Sequence, residues 1–235
     1  MQIKQHFQEL KRRLTIVIIA FIVTTITLTS LSSEILKRII LYYGVELHNF
    51  SPIESVKVQI AFGIITALIV TLPIIMYQTY KFITYDWEIK LPIKSIITTS
   101  YVLALTGFVF GITYLSKIMI NIMQSYTIGN IVWGLENTLK LVLGIGLIMG
   151  LCTQLIILIP LMNKIGIINV RKISFKMKYL TFVCILIMSA IITPPDIITQ
   201  LIITLPVFVC IETGIIISKL GGKEKWQLEQ WKASS

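Results

Sequence analysis

The sequence predicts an all-α integral membrane protein with six transmembrane helices and both termini on the inner side of the membrane. Six apolar stretches divide the 235 residues, Lys and Arg collect on one side of them, and 55% of residues are hydrophobic while 14% are charged. A helix rises about 1.5 Å per residue, so roughly 20 apolar residues cross a hydrocarbon core about 30 Å thick. The predicted spans are about 14–31, 58–76, 96–115, 141–161, 179–192 and 197–217.

The basic residues set the predicted orientation. With the N-terminus inside, the inner segments carry 16 Lys and Arg and the outer segments carry 5, and inner loops of membrane proteins hold such an excess. The inner segments are 1–13, 77–95, 162–178 and 218–235. This bias also explains the net charge of +10 better than nucleic-acid binding, because no basic stripe is interleaved with aromatic residues. We expect one membrane domain, 1–235, ending in a polar tail at 223–235.

The flanks of the first two spans have their own patterns. Apolar residues at helical spacing in 1–10 predict a short interfacial helix, and those in 35–41 predict an amphipathic helix within the outer loop 32–57. The Asn-Phe-Ser-Pro sequence at 49–52 predicts a turn and the start of the second helix. Pro73 is predicted to kink that helix near its inner end.

The last two helices are predicted to be short and joined by a tight turn. The fifth stretch, 179–192, has 14 residues and spans about 21 Å. Pro194 and Pro195 end it, because two successive prolines cannot continue a helix, and Asp196 completes the turn. Gln200 lies one helical turn further on and is predicted to cap or bond this turn.

Two polar side chains inside the spans stand out. An ionisable group there costs about 2.5–3.5 kcal/mol on insertion scales, so Glu212 needs an explanation. It is either a polar contact for a partner helix or substrate, or a carboxyl near the interface that is protonated or paired with Lys219. Gln154 lies deep in the fourth span beside Thr153, where an amide usually bonds a neighbouring helix. We predict Gln154, Glu212 and Gln200 as intramembrane polar contacts.

Nothing in the sequence indicates an enzyme. It contains no G-x-x-x-x-G-K-S/T, H-E-x-x-H or G-x-S-x-G motif, and its two histidines lie on opposite predicted sides of the membrane. Cys152, Cys184 and Cys210 fall in separate spans and are predicted to pack as small apolar side chains. We therefore predict no catalytic residue, no metal and no cofactor.

Four short motifs occur in order along nearly the whole chain. They are His6…Glu9-Leu10…Arg13, Pro52…Glu54…Lys57, Leu72-Pro73…Tyr77-Gln78…Phe82 and Thr193-Pro194-Pro195-Asp196…Gln200…Pro206…Glu212-Thr213-Gly214. Together they resemble the TatC family, the multi-spanning core and signal-peptide receptor of the twin-arginine (Sec-independent) protein translocase. Where that family often has Arg, this chain has Lys11.

The resemblance implies a function and a set of site residues. The chain would bind the twin-arginine signal peptides of folded cargo and help export that cargo with the protonmotive force. Its partners would be single-span subunits of the TatA and TatB type, and homo-oligomerisation is left open. Glu9 and Glu88 would accept the signal guanidinium groups on the inner face, with His6 and Arg13 beside them, because arginine pairs bidentately with carboxylates.

Two other functional classes agree less well with the sequence. A small proton- or solute-coupled transporter usually carries several intramembrane charges and inverted repeats, whereas this chain has one such charge, Glu212, and no repeat. A structural anchor would not require acids on a basic inner face. For the location, 48 Ile against 6 Ala and no presequence before the first span favour a mitochondrially encoded protein of the inner membrane. A bacterial plasma membrane or a plastid thylakoid membrane is the alternative.

Overall fold

The computed structural model describes residues 2–44, 46–86, 93–126, 132–165, 167–173, 175–192 and 197–234. Nearly all of them are helical, and the chain packs as two compact units, residues 1–147 and 148–235. Within these described ranges, five helical segments are long and apolar enough to cross a membrane. They are Lys11–Tyr43, Pro52–Thr79, Lys94–Tyr126, Leu135–Lys164 and Ile198–Gly221. A multi-span, nearly all-helical architecture is thus confirmed, while the sixth span and the inner termini stay predictions.

Helix α1 runs without a break from Gln2 to Tyr43 and is about 63 Å long. The predicted interfacial helix at 1–10 and the predicted amphipathic helix at 35–41 are therefore wrong as separate elements. The reason is that no Gly or Pro occurs within these 42 residues, so nothing interrupts the backbone bonds. The helix ends where Gly44 adopts a φ of 63°, a conformation that glycine takes without steric cost.

Helix α2, Pro52–Asp86, begins at the predicted proline. The Ile53 amide donates to the Ser51 hydroxyl at 3.4 Å, and the Phe50 amide donates to the Glu54 carboxylate at 3.2 Å. These two bonds satisfy amide groups that a helix start leaves without partners. The helix continues through Pro73, and α1 packs along it.

The third predicted span continues beyond its expected end at residue 115. Its parts are α3 (Ile93–Phe110), a π-helical turn (Gly111–Leu115) and α4 (Ser116–Tyr126). In the π-helical turn the Ser116 hydroxyl donates to the Gly111 carbonyl at 2.8 Å. Tyr43 donates to the Ile112 carbonyl and Tyr42 to the Thr113 carbonyl, so the end of α1 is bonded to this turn. These hydroxyls compensate for the altered backbone bonding.

A two-stranded parallel pairing joins the two predicted outer segments. Strand β1 is Leu47–His48 and strand β2 is Trp133–Gly134. Close by, Glu136 forms ion pairs with Lys140 and with Lys57, the latter at 3.5 Å. Lys57, in the first turns of the helix that begins at Pro52, is thus linked by an ion pair to Glu136 at the start of the helix after β2.

The second unit contains the last part of α5 and four further elements. Helix α5 is Leu135–Cys152, α6 is Leu155–Ile165, a 3₁₀ turn is Val170–Lys172, α7 is Phe175–Ile192 and α8 is Ile197–Ser234. Helices α6 and α7 both pack on α8. The backbone of the predicted polar tail, 223–235, is helical as far as Ser234, and the predicted turn at 193–196 lies outside the described residues.

The fourth predicted span, 141–161, is not one helix. It breaks between α5 and α6 at Thr153 and Gln154. The Gln154 backbone N–H donates to the Leu151 carbonyl at 3.1 Å, and the Thr153 hydroxyl donates to the Gly150 carbonyl at 2.9 Å. Side-chain groups that bond their own backbone compete with regular helix, which explains why the break falls at this polar pair.

Candidate functional site

A groove lies between the N-terminal end of α1 and the C-terminal half of α2. Its volume is about 510 Å³, and the two helices run antiparallel so that these ends meet. The side chains that line it are Gln8, Glu9, Arg12, Arg13, Ile16, Tyr77, Gln78 and Lys81. Most of these side chains are polar or charged, although they adjoin the apolar stretches of both helices. Charged side chains of both helices therefore lie together at this end of the helix pair.

Glu9 and Arg13 form the core of the groove. Arg13 Nη2 donates to Glu9 Oε1 at 2.5 Å, one turn away on α1, and Arg13 Nη1 donates to Gln78 Oε1 of α2 at 3.4 Å. Arg13 thus links the two helices and fixes the Glu9 carboxylate, whose side chain remains 28% exposed. A carboxylate has about four acceptor sites, so a bond to one oxygen leaves acceptor capacity toward the groove.

The other charged residues that the structure describes in the groove are basic. Arg12 is exposed, and Lys81 places its ammonium 5.0 Å from the centre of the Tyr77 ring, within the range of a cation–π contact. Among the residues that the structure describes, three cations and one carboxylate therefore line the groove. The sequence placed basic residues at both helix ends, but only the antiparallel packing brings Lys81 beside Arg12 and Glu9.

The structure describes some of the predicted signal-peptide residues and not others. Glu9 and Arg13 are in contact, as their four-residue spacing on one helix allows. The backbone of His6 lies in α1, but its side chain is outside the described part of the chain, and Glu88 is wholly outside it. The contact of Arg13 with Gln78 was missed, although the Tyr-Gln pair at 77–78 was one of the motifs singled out in the sequence.

Glu212 pairs with a residue other than the one predicted from the sequence. Its carboxylate forms an ion pair with Lys178 near the start of α7, and the two side chains are 20% and 26% exposed. Further along the same helix pair, the rings of Phe182 and Phe208 meet edge to face at 5.3 Å. The observed ion pair is with Lys178 rather than Lys219. One feature of the sequence could have indicated this pairing: Lys178 directly precedes the fifth apolar stretch.

The other predicted intramembrane contacts are partly local. The Gln154 side-chain amide lies 3.5 Å from the Gly150 carbonyl of its own span, at the break between α5 and α6. Gln200 is half-buried in the first turn of α8. Pro194, Pro195 and Asp196, which it was predicted to bond, are outside the described residues.

These features define a class of protein: a multi-span helical membrane protein with a charged groove at one end of its first two helices. A family model described as the Sec-independent protein translocase protein (TatC) matches residues 5–206. The chain belongs to this family. Membership makes it a subunit of a Sec-independent protein translocase, which is a protein-transport system.

Individual relatives agree with this assignment. The chain is 28% identical to the Sec-independent protein translocase protein TatCy of Bacillus subtilis over 233 residues, which cover 93% of this chain and 89% of the relative. It is 26% identical to TatC of Aquifex aeolicus over 242 residues, covering 98% and 100%. A crystal structure described as the twin arginine translocase receptor TatC has the same fold, with a TM-score of 0.79, 24% identity and coverage of 92% of this chain and 98% of that one.

Proposed function

We propose that the chain is the core subunit that receives twin-arginine signal peptides, and that Glu9 is a principal acceptor for the signal arginines. One observation carries this assignment: among the described residues of the groove Glu9 is the one carboxylate, and Arg13, itself bonded to Gln78, holds it in place while its side chain remains partly exposed. A guanidinium group pairs with a carboxylate through two parallel hydrogen bonds, so a fixed and accessible carboxylate suits this ligand.

Glu88 is proposed as the second acceptor, and Arg13 is proposed to position Glu9. Two signal guanidinium groups need more than one acidic group, and Glu88 belongs to the segment that follows α2, whose last helical residue is Asp86. Arg13 has its Nη1 on Gln78 and its Nη2 on Glu9, so its part is to orient the carboxylate. His6 precedes Glu9 on the same helix and is proposed to flank the peptide.

Replacing Glu9 should weaken peptide binding strongly. We expect Glu9→Gln in the full chain to lower crosslinking to a twin-arginine peptide by roughly tenfold to 100-fold, because charge-assisted hydrogen bonds contribute about 1.5–3 kcal/mol. Glu34→Gln is a matched control, since Glu34 is exposed at the other end of the same helix. Equal binding by the Glu9 variant and the unchanged protein, or equal losses in both variants, would place the acceptor elsewhere.

The topology is proposed as six spans with both termini inside. Helix α7 has 18 residues and would supply the sixth span beside the five long segments. In a background without the three native cysteines, tags at both termini should react only from the inner side. A cysteine replacing Ser125, which is exposed near the end of α4, should react only from the outer side. Labelling of the two termini from opposite sides would contradict an even number of spans.

The partners and the location are further parts of this proposal. We propose that single-span translocase subunits dock beside Gln154, where the break between α5 and α6 places a polar pair within a predicted span. Copurification with the intact chain would identify these subunits. The relatives named above are bacterial, which is compatible with a bacterial plasma membrane. The mitochondrial inner membrane favoured in the sequence analysis has no support from the comparisons.

A further inference from the structure

The segment that joins α6 to α7 carries lysines for which the proposed function has no use. Residues 162–178 contain five basic side chains and no acidic one. Three of these, Lys164, Lys172 and Lys176, are exposed, and within the described part of the chain none of the three forms an ion pair. An ammonium group offers three hydrogen-bond donors and is an established ligand of phosphate. We propose that these three residues, which we call the loop lysines, bind the phosphodiester of an anionic membrane lipid.

Acidic side chains elsewhere on the same predicted side do not neutralise the loop lysines. Glu212 is engaged by Lys178, and Arg171 has an interaction of its own, so neither of these basic residues is counted in the site. Each of the other predicted inner segments holds more basic than acidic side chains: four against one, three against two and four against two in 1–13, 77–95 and 218–235. These counts cover every residue of the segments, including the acids that follow α2 and those of the tail. The predicted inner side therefore has no surplus of acids for the loop lysines.

The backbone between α6 and α7 is anchored. The Asn163 side-chain oxygen accepts from the Val170 amide at 3.1 Å, and the Asn169 side-chain oxygen accepts from an amide of the 3₁₀ turn at 3.2 Å. Val170 is 1% exposed, and its 3₁₀ turn packs on α8. Lys172 thus extends from a turn that is already fixed. A preorganised site loses less conformational entropy on binding than a flexible one, which favours a defined site over a diffuse charged surface.

The loop lysines lie at the depth of lipid headgroups. Lys164 ends the long apolar segment Leu135–Lys164, and Lys176 comes three residues before the fifth predicted apolar stretch, 179–192. Basic residues at the ends of spans lie at the membrane interface, where anionic lipids attract them. This location favours a membrane lipid over a soluble anion.

Exposed apolar side chains accompany the loop lysines in the sequence. Ile167, Met177 and Tyr179 are 62%, 53% and 67% exposed. Basic residues combined with exposed apolar and aromatic ones are typical of segments that lie in the membrane interface. A lipid brings acyl chains beside its phosphate, whereas an acidic segment of a soluble protein would leave these apolar side chains in water. The mixed surface therefore favours a lipid over an acidic protein segment.

The experiment uses the intact protein in nanodiscs of phosphatidylcholine that contain a photoactivatable phosphatidylglycerol. We expect crosslinks to map to residues 162–178. Lys172→Gln and Lys176→Gln should each reduce this crosslinking about fivefold, the equivalent of about 1 kcal/mol per basic residue at a membrane surface. Lys172→Arg keeps the charge and should retain most of the crosslinking. A nanodisc exposes both leaflets, so the result does not depend on which side of the membrane is the inner one.

Two control variants separate a defined site from general attraction between charges. Lys11 is exposed near the start of the first predicted span and lies outside residues 162–178, so Lys11→Gln should leave their crosslinking unchanged. An equal loss in this variant would overturn the site. Asn163→Ala keeps every charge but removes the bond to Val170, so it should lower the crosslinking because the turn loses its anchor. Unchanged crosslinking in this variant would show that charge alone attracts the lipid and would overturn the anchored site.

The remaining outcomes concern the lipid itself. Unchanged crosslinking in both lysine-to-glutamine variants would overturn the loop lysines as its ligands. A photoactivatable phosphatidylcholine that crosslinks to 162–178 equally well would show that the charge of the headgroup is not recognised. Absence of any phosphatidylglycerol crosslink within 162–178 would overturn the lipid and leave the loop lysines to an acidic protein segment. Because neither peptide nor partner subunit is present, none of these results depends on the proposed function.

Discussion

Lys178→Met should destabilise the protein markedly, because it leaves the Glu212 carboxylate without its partner. The two side chains are one-fifth to one-quarter exposed and lie where α7 packs on α8. Removing one member of a fully buried pair costs about 3–5 kcal/mol, and the partial exposure here reduces that to about 2 kcal/mol. For a chain of this size we expect the thermal midpoint in detergent to fall by about 4–8 °C.

The double variant Lys178→Met with Glu212→Met distinguishes the effect of an unpaired carboxylate from the effect of lost packing. Methionine has a similar volume and no charge, so the double variant should recover most of the midpoint that the single variant loses. Lys176→Met is the control for removing one lysine from α7, because Lys176 is exposed. A double variant as unstable as the single one would show that the ion pair itself stabilises the contact.

Gly63→Ala should loosen the contact between α1 and α2. A Cβ atom at residue 63 would lie 1.9 Å from Thr29 Oγ1, 3.0 Å from Thr29 Cβ and 3.1 Å from the Thr29 backbone nitrogen. Rotation of the threonine side chain removes the first clash only, so the helices must move apart. Overpacking of this kind costs about 1–3 kcal/mol. We expect a lower thermal midpoint and weaker peptide crosslinking, since the groove lies between these two helices.

A second glycine provides the control for helix propensity. A Cβ atom at Gly144 of α5 would meet nothing within 4 Å. Alanine is favoured over glycine in a helix interior by about 0.5–1 kcal/mol, so Gly144→Ala should raise the midpoint while Gly63→Ala lowers it. Adding Thr29→Ala to Gly63→Ala should restore part of the loss. Midpoints that rise equally in the two alanine variants would contradict close packing at Gly63.

The candidate site was only partly accessible from the sequence. Glu9 and Arg13 are four residues apart, and a helical pattern is enough to predict that they meet. Gln78 is 65 residues away from Arg13, and Lys178 is 34 residues away from Glu212. Periodicity shows which residues share one helix face, but it does not show which face of another helix will pack against it. The groove itself was therefore invisible before the helices were placed together.

The sequence by itself determined that the chain is a helical membrane protein and where its long helices lie. The physical reason is that a lipid core leaves backbone groups no partner except those of their own helix, so an uncharged apolar stretch of sufficient length implies a helical span. The start of α2 at Pro52 and the contact between Glu9 and Arg13 also depend only on residues that are close in the sequence. Only the tertiary structure decided how Tyr42 and Tyr43 bond the π-helical turn, which lysine pairs with Glu212, and that α1 and α2 enclose a charged groove. These features depend on contacts between distant segments, and the choice among them is made by packing and by pairing of buried polar groups.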